Sequence, residues 1–349
     1  MKIKFLVGSL EYFNSYAFIY PIYNSINFIN EEYTISIDYK TDNKKYDIIF
    51  VDSKYFYKNF ITNNFENISQ TLLKEKQKCH VLAYFDNEAS LYINHKIYDY
   101  VDFYLKSKLP KDINYYKKKY YGLRSYTDFY YTNFNVKDNN EKYSESIEDS
   151  NTKKNILGWN NGICDYSLYS NIKRKLFTYS KIKYLLNFKL KYIKKTNKIS
   201  ARISQNYDRE TISFQRKYIL KNFKDKFKTE RLKKIEYFKE LETSHASLSP
   251  FGWGEICYRD FEIFLTKSML IKPNMEHINT WPNYYVNNET YLNFNWNFDN
   301  FEEVINKVED LNYCENIAIN GHNRFMSYFT NEGKNEFFNH FKKILKKLI

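Results

Sequence analysis

The residues best suited to chemistry lie in one stretch, residues 249–265, where a glycine-rich turn runs into a mixed charged and apolar sequence. The pattern predicts a short buried strand, a glycine-hinged turn and a helix that opens at the turn. At about 100° per residue, Glu255, Arg259 and Glu262 fall within one narrow sector of that helix. The opposite side is apolar, so we expect one convergent charged face and one core face.

This arrangement suits a phosphorylated ligand. A helix start presents unpaired N–H groups and the positive end of the helix dipole, which favour a phosphate or diphosphate. Arg259 can neutralise a diphosphate, and Glu262 can accept hydrogen bonds from ribose hydroxyls. Gly252 and Gly254 let the backbone approach a ligand closely, and Trp253 can form a wall for a sugar ring. The alternative is a surface helix with an ordinary i,i+4 ion pair, and spacing alone leaves both open.

Several further runs extend the pattern on both sides of this stretch. They are SARISQNY (200–207), QRK (215–217), SPFGWGE (249–255), RDFE (259–262), LIKP (270–273), EH (276–277), TWP (280–282) and NETY (288–291). Together they resemble the C-terminal half of nucleotide-sugar glycosyltransferases with the GT-B fold, in particular the bacterial and viral proteins grouped as glycosyl transferases family 1-like. The resemblance covers residues 198–330 well and the N-terminal half only in its general organisation.

The resemblance implies an α/β protein with two Rossmann-like domains facing a cleft, and a C-terminal helix that can cross back to the first domain. It implies that Arg259 lies near the donor diphosphate, Glu262 near the nucleotide ribose and Glu255 at the sugar end. Lys272 is expected at the same cleft only by analogy, and for His277 a hydrogen-bonded loop role is preferred. The spacing of Glu255 and Glu262 differs by one residue from the glutamate pair of retaining members, so retention or inversion stays open.

The N-terminal half has the rhythm of an α/β domain. Strands are predicted over residues 2–7, 47–52, 79–85 and 101–105, with intervals long enough for helices, which favours parallel pairing. Ligands collect at the carboxyl ends of such strands. Asp86 and Glu88 lie there, and either can act as the general base that activates an acceptor hydroxyl. Their alternative is a loop-end or helix-capping role.

Composition fits a folded protein of two domains. The chain has 349 residues, 43% of them hydrophobic, and a net charge of +13. Its four cysteines are far apart, without metal-ligand spacing, and no Asp-x-Asp tripeptide occurs, so neither a metal nor a cofactor beyond the nucleotide-sugar donor is predicted. No run approaches the ~20 apolar residues of a membrane span, and residues 1–7 read as a strand rather than a signal peptide. We expect a cytoplasmic protein.

The most concentrated basic tract is residues 173–198, with ten Lys or Arg and no acidic residue. Such an amphipathic stretch can attach the protein to the cytoplasmic face of a membrane, or it can be a linker with solvated lysines. Nucleic-acid binding is unlikely despite the charge, because no nucleic-acid motif accompanies it. The predicted division is a first, acceptor-side domain (1–155), a basic linker (156–197), a donor domain (198–330) and a C-terminal helix (331–349).

Two function hypotheses follow. The first is a hexosyltransferase-type enzyme that moves a sugar from a nucleoside diphosphate sugar to a hydroxyl on a glycan, glycolipid or protein. The helix start and Arg259 would stabilise the departing diphosphate, a role that a metal ion takes in other architectures. The second is a non-catalytic scaffold of the same fold or a basic surface-binding module, because fold does not guarantee chemistry.

Overall fold

The computed structural model describes residues 1–112, 114–147, 153–180 and 193–349, which form two α/β domains. The first domain is built on a six-stranded sheet in the order β2-β1-β3-β4-β5-β7, with every pairing parallel. Its strands are β1 (Lys2–Leu6), β2 (Thr34–Asp38), β3 (Tyr46–Asp52), β4 (Cys79–Asp86), β5 (Phe103–Lys106) and β7 (Asn155–Leu157). The apolar runs of β3 and β4 are buried, as strands covered by helices on both faces require.

The second domain is built on a four-stranded parallel sheet in the order β12-β10-β9-β8. Its strands are β8 (Asn197–Ser200), β9 (Ser244–Leu248), β10 (Met269–Pro273) and β12 (Tyr291–Phe294). A two-stranded antiparallel pair joins the domains: β6 (Lys108–Pro110) comes from the first and β11 (Ile278–Thr280) from the second.

Helices cover both sheets. Those of the first domain and the following segment are α1 (Phe13–Asn24), α2 (Ile26–Glu32), α3 (Tyr57–Ile61), α4 (Phe65–Lys76), α5 (His95–Tyr98), α6 (Ser125–Phe134) and α7 (Ser170–Ser180). Those that follow are α8 (Glu210–Phe223), α9 (Lys234–Thr243), α10 (Tyr258–Leu265), α11 (Phe301–Asn306), α12 (Leu311–Ser327) and α13 (Asn331–Leu348). None of the helices in the described ranges has the length and apolar content that crossing a bilayer needs.

The C-terminal helix returns to the first domain, as predicted. The ring of Phe341 in α13 lies 6.0 Å from the rings of Phe5 in β1 and Phe50 in β3. Lys342 forms an ion pair of 2.9 Å with Glu32 at the end of α2. The apolar face of α13 therefore completes the core of the first domain. The predicted fold class, two Rossmann-like domains with a returning C-terminal helix, is confirmed.

The predicted strands of the first domain are all present within one or two residues. Three strands were missed, β2, β6 and β7, because β2 is a half-exposed edge strand and β6 and β7 have only three residues each. The pairing of β7 with β5 spans the predicted boundary between residues 155 and 156, and β8 begins one residue before the predicted donor domain. The division into domains otherwise stays a prediction. Residues 181–192 of the basic tract lie outside the described residues.

Candidate active site

The turn between β9 and α10, residues 249–257, will be called the glycine loop. Its end is fixed by Asp260, whose carboxylate accepts hydrogen bonds from the Cys257 N–H (3.0 Å) and from the Ser249 hydroxyl (2.6 Å). Cys257 is extended, with φ −111° and ψ 146°, so α10 begins at Tyr258. A carboxylate in the first turn that accepts from the N-cap backbone is a standard way to start a helix.

This cap corrects the predicted position of Glu255. The residue lies in the glycine loop, before the helix begins, and therefore does not share a helical face with Arg259 and Glu262. Its side chain is fully buried and does not line the cavity described below. Helical spacing does not hold there, because residues 252–256 form bends and Cys257 is extended before the helix begins.

Arg259 and Glu262 do lie together on α10. The Arg259 guanidinium donates to the carbonyls of Leu248 (3.5 Å) and Arg202, and it lies over the ring of Tyr237. Within the described ranges no carboxylate lies within 4.0 Å of the Arg259 guanidinium, so the guanidinium forms no salt bridge there. Glu262 accepts a hydrogen bond of 3.1 Å from the Tyr237 hydroxyl. Burial raises the pKa of Glu262, while Arg259 and Tyr237 oppose that shift.

Lys272 has a different environment from the one expected. It is completely buried in β10, and its ammonium lies 3.1 Å from Asp260 and 3.4 Å from the carbonyl of Ser249. Lys272 thus balances the charge of the helix-capping Asp260 beneath the glycine loop. The structure does not bring its ammonium to the cavity, because the capping carboxylate holds it in the core.

A cavity of about 440 Å³ opens at the carboxyl ends of β3 and β4. Its wall combines charged and aromatic side chains of the first domain with Trp253 of the second: Lys54, Tyr57, Phe60, Tyr84, Asp86, Glu88, Tyr92, Tyr104 and Arg124. Trp253 is 45% exposed, which is unusual for a tryptophan beside a domain junction. Aromatic rings with a few convergent polar groups are typical of a ligand site.

The two predicted carboxylates at this edge differ in availability. Asp86 is buried and accepts from the Tyr104 hydroxyl (2.6 Å), the Lys106 ammonium (2.8 Å) and the Glu88 N–H (2.8 Å). The Glu88 side chain is 44% exposed, and its one ion-pair partner among the described residues is Lys54 at 2.7 Å. Asp86 is therefore a structural carboxylate, whereas Glu88 can exchange its partner for a ligand.

Asp52, at the end of β3, shapes the neighbouring edge. It accepts from the Gly8 N–H (3.1 Å), the Lys54 N–H (3.1 Å) and the Ser15 hydroxyl. Burial raises the pKa of Asp52 to about 6, although these hydrogen bonds oppose the shift. A Cβ at Gly8 would lie 2.6 Å from the Lys54 backbone, so only glycine fits there. Asp52 thus ties the loops after β1 and β3 together at the switch point of the sheet.

The first domain also holds the glycine loop directly. Arg124 Nε donates to the carbonyl of Trp253 (2.7 Å), and the Tyr126 hydroxyl donates to the carbonyl of Gly252 (2.7 Å). The Arg124 guanidinium lies 5.8 Å from the Trp253 ring, and the Tyr207 ring meets the same tryptophan edge-on at 5.7 Å. Sequence reasoning missed Lys54, Arg124 and Tyr126. Only Lys54 had a signal, because it follows a predicted strand end.

A second cavity, of about 470 Å³, lies at the amino-terminal ends of β9 and β10, on the far side of the second sheet. Lys195, His245 and Thr266 are among its lining residues. Parallel sheets gather their ligands at the opposite edge, so the cavity beside Trp253 is the candidate site. Within the described part of the chain, no group of three or more His, Cys, Asp or Glu side chains is arranged to hold a metal ion.

We compared the chain with protein families, with curated proteins and with solved structures, and similarities were found only among the solved structures. No family model and no curated protein matches the chain. Among solved structures, Anabaena Alr3699/HepE in complex with UDP and glucose is 10% identical, with all of both chains covered and a TM-score of 0.45. A glycosyltransferase from Rickettsia africae is 10% identical over 99% of this chain and 98% of that one, with a TM-score of 0.45. An alpha-glucosyltransferase bound to UDP and a 13-mer DNA is 8% identical over 99% of both chains, with a TM-score of 0.42.

Proposed function

We propose that the chain is a glycosyltransferase that moves a sugar from a nucleoside diphosphate sugar to a hydroxyl on a glycan, glycolipid or protein. The observation that carries this proposal is the composition of the cavity, which Glu88 of the first domain and Trp253 of the second line together. Transfer between two substrates requires both to be held in register and away from water. A cavity walled by the first domain and completed by Trp253 of the second supplies such a place.

The donor is assigned to the second-domain side. Arg259 offers a guanidinium without a carboxylate partner among the described residues, beside the start of α10 with its positive dipole end. Both features favour a diphosphate. Glu262 lies one turn further on the same helix and would bind the ribose by taking hydroxyl donors alongside Tyr237. Trp253 would pack against the sugar.

The acceptor is assigned to the first-domain side, with Glu88 as the general base. A base must reach the hydroxyl proton, and Glu88 is the partly exposed carboxylate of the cavity. The Lys54 ammonium forms an ion pair with it at 2.7 Å. Asp86 is assigned a supporting role, because its oxygens already accept from Tyr104, Lys106 and the Glu88 backbone.

Metal-independent departure of the diphosphate belongs to the same proposal. The growing negative charge would be met by Arg259 and by the N–H groups that open α10. The test is transfer measured with and without an excess of a chelator such as EDTA. Equal rates support the proposal, and activity that disappears with the chelator and returns with Mg²⁺ or Mn²⁺ contradicts it.

Peripheral attachment to the cytoplasmic face of a membrane is proposed only for the exposed part of the basic tract. Lys173 is paired with Asp165 at 2.9 Å, and Arg174 donates to the carbonyl of Glu11 at 2.8 Å, so these two serve the fold. Sedimentation with anionic lipid vesicles tests the attachment. Equal binding to neutral vesicles would contradict an electrostatic role.

The experiment that tests the function is a ligand panel followed by a product assay. Purified protein is heated with UDP, GDP, CDP, ADP and their common sugar conjugates, since a ligand of the folded state raises the melting temperature. A shift with one nucleotide, followed by release of that nucleotide from its sugar conjugate when glycan acceptors are added, supports the transferase. Absence of any shift at millimolar concentration would favour the non-catalytic scaffold.

A further inference from the structure

Three charged or titratable side chains meet at the domain junction behind the cavity. The carboxylate of Glu255 lies 3.8 Å from the Lys108 ammonium and 3.7 Å from Nε2 of His277. Glu255 is fully buried, and in the described structure neither of its oxygens, nor either ring nitrogen of His277, has a hydrogen-bond partner. The hydrogen-bonded loop role expected for His277 stays a prediction, with the Glu255 carboxylate at 3.7 Å as its partner. Such unmatched buried polar atoms are rare in native proteins and indicate a functional role or strain.

The two partners of Glu255 are held by a framework that does not depend on the glycine loop. Lys108 begins β6, and its ammonium donates to the carbonyl of Ala89 at 2.6 Å. His277 directly precedes β11, and its carbonyl accepts from the Lys111 N–H at 2.9 Å. Since β6 and β11 pair across the domains, both side chains are fixed by the same junction.

The glycine loop meets this junction at Glu255 and at its neighbour. A Cβ at Gly254 would lie 1.9 Å from the Ala89 carbonyl oxygen, the same atom that Lys108 binds. Burial alone would raise the pKa of Glu255, but His277 and Lys108 outweigh it and lower the pKa to about 2. Burial also lowers the pKa of Lys108 to about 8, against the pull of Glu255. At neutral pH the loop thus carries a buried negative charge that faces a buried positive one.

We infer that Lys108 is a positioning residue, which fixes the glycine loop against the first domain through the charge on Glu255, while His277 lies against the same carboxylate. The Lys108 contact at 3.8 Å is longer than a hydrogen bond, so it sets the location of the carboxylate through charge rather than through bond direction, and His277 lies against the same carboxylate at 3.7 Å. Glu255 does not line the cavity, whereas Trp253, two residues earlier, does. The cluster therefore acts on the site through the loop.

The catalytic consequence rests on the proposed function. A misplacement of about 1 Å in a reacting geometry can cost roughly 100-fold in rate. Removal of one charge of the cluster should therefore lower kcat about 10- to 100-fold, while KM for the acceptor, which binds the other wall, stays within about 3-fold. Partial unfolding would also lower the apparent kcat at unchanged KM, so kcat is calculated per folded molecule, with the folded fraction of each variant taken from denaturant unfolding.

The test uses the full chain and four variants: Lys108→Met, Glu255→Gln, the double variant, and Lys111→Met as a control, because Lys111 is exposed on the same segment. Hydrogen exchange of residues 249–257 is measured together with kcat and KM. We expect exchange about 10-fold faster in each single variant, with recovery towards the wild type in the double variant, because it removes both charges together. Where Lys108→Met does not fold, Glu255→Gln alone carries the test, since its amide keeps the side-chain shape.

Exchange rates unchanged in the single variants, or a double variant as perturbed as the two single effects combined, would overturn the inference. Exchange does not require activity. If the wild type transfers no sugar but the single variants loosen the loop and the double variant restores it, the proposed function fails while the positioning role stands. If the wild type transfers sugar and the exchange rate of the loop is unchanged in the single variants, the proposed function stands and the positioning role fails.

Discussion

Arg124 donates a hydrogen bond of 2.7 Å from Nε to the main-chain carbonyl of Trp253, joining two residues that are 129 positions apart in the chain. The same guanidinium lies 5.8 Å from the Trp253 ring. The first domain thus determines the backbone position and the ring environment of the residue that the second domain contributes to the cavity. The site is a joint product of both domains.

Arg259→Ala should weaken binding of the cognate nucleoside diphosphate roughly 10-fold, or about 1.4 kcal/mol, because it removes a guanidinium that has no carboxylate partner among the described residues. The fold should stay cooperative, since its hydrogen bonds go to the carbonyls of Leu248 and Arg202. Titration calorimetry measures the affinity. Arg231→Ala, an exposed arginine of the same domain, is the matched control, and equal affinities in both variants would rule out the diphosphate role.

Glu88→Gln and Asp86→Asn should fail in different ways. Glu88→Gln should lower kcat about 100-fold or more with little change in donor affinity, because a general base typically contributes a factor of that order. Asp86→Asn should lower the free energy of unfolding by roughly 3 kcal/mol, because it leaves the buried Lys106 without its counter-charge. Steady-state kinetics and urea unfolding separate the two effects. A stable but inactive Asp86→Asn protein would reverse the assignment of the base.

Gly254→Ala should separate the glycine loop from the first domain. Its Cβ would lie 1.9 Å from the Ala89 carbonyl oxygen, a backbone atom that cannot move aside cheaply. Overpacking of this kind costs about 1–3 kcal/mol of stability. The neighbouring Gly252→Ala is the control, because its Cβ would meet only the side-chain hydroxyl of Tyr207, at 2.9 Å. Denaturant unfolding of both variants checks this, and equal losses would mean that the Ala89 contact is not limiting.

Asp52 should give the wild type a measurable pH dependence of stability. Its pKa is raised in the fold from 3.8 to about 6, mainly by burial, so between these pH values the unfolded chain loses the proton first. The folded state is then progressively disfavoured as the pH rises, by roughly 3 kcal/mol in total, with no further change above pH 6 from this group. Asp52→Asn cannot titrate and should lack this slope. Urea unfolding from pH 4 to 7 measures the difference, and parallel curves would contradict the shift.

The sequence was sufficient for much of the fold. Continuous apolar runs, such as those of β3 and β10, predict buried parallel strands. The intervals between successive strands are long enough for helices. The return of the C-terminal helix to the first domain was implied by the family resemblance, and it is confirmed by Phe341, which packs on the first sheet. Short or edge strands were missed, because few residues and half-exposed faces carry little pattern.

The site was predictable only where its residues are neighbours in sequence. Arg259 and Glu262 share a face of α10 because helical geometry is local. Glu255 was placed wrongly, since the helix begins only at Tyr258, after the Cys257 N-cap that the Asp260 carboxylate fixes. Arg124 and Lys108 were not found at all, because only the docking of one domain on the other brings them to the loop. Pattern reasoning has no access to such long-range pairing.

The antiparallel pair of β6 and β11 has a consequence for how the cleft can open. It sets Pro110 opposite Ile278, Leu109 opposite Asn279 and Lys108 opposite Thr280, and the Lys111 N–H donates to the His277 carbonyl at 2.9 Å, so a sliding separation of the domains would have to break this ladder. A rotation that uses the pair as its pivot would leave the ladder intact. We therefore expect the cleft to open by rotation about this strand pair rather than by separation of the two domains. The residues beside the strand pair, Glu255 and His277 among them, would travel least while the far rim of the cleft travels most.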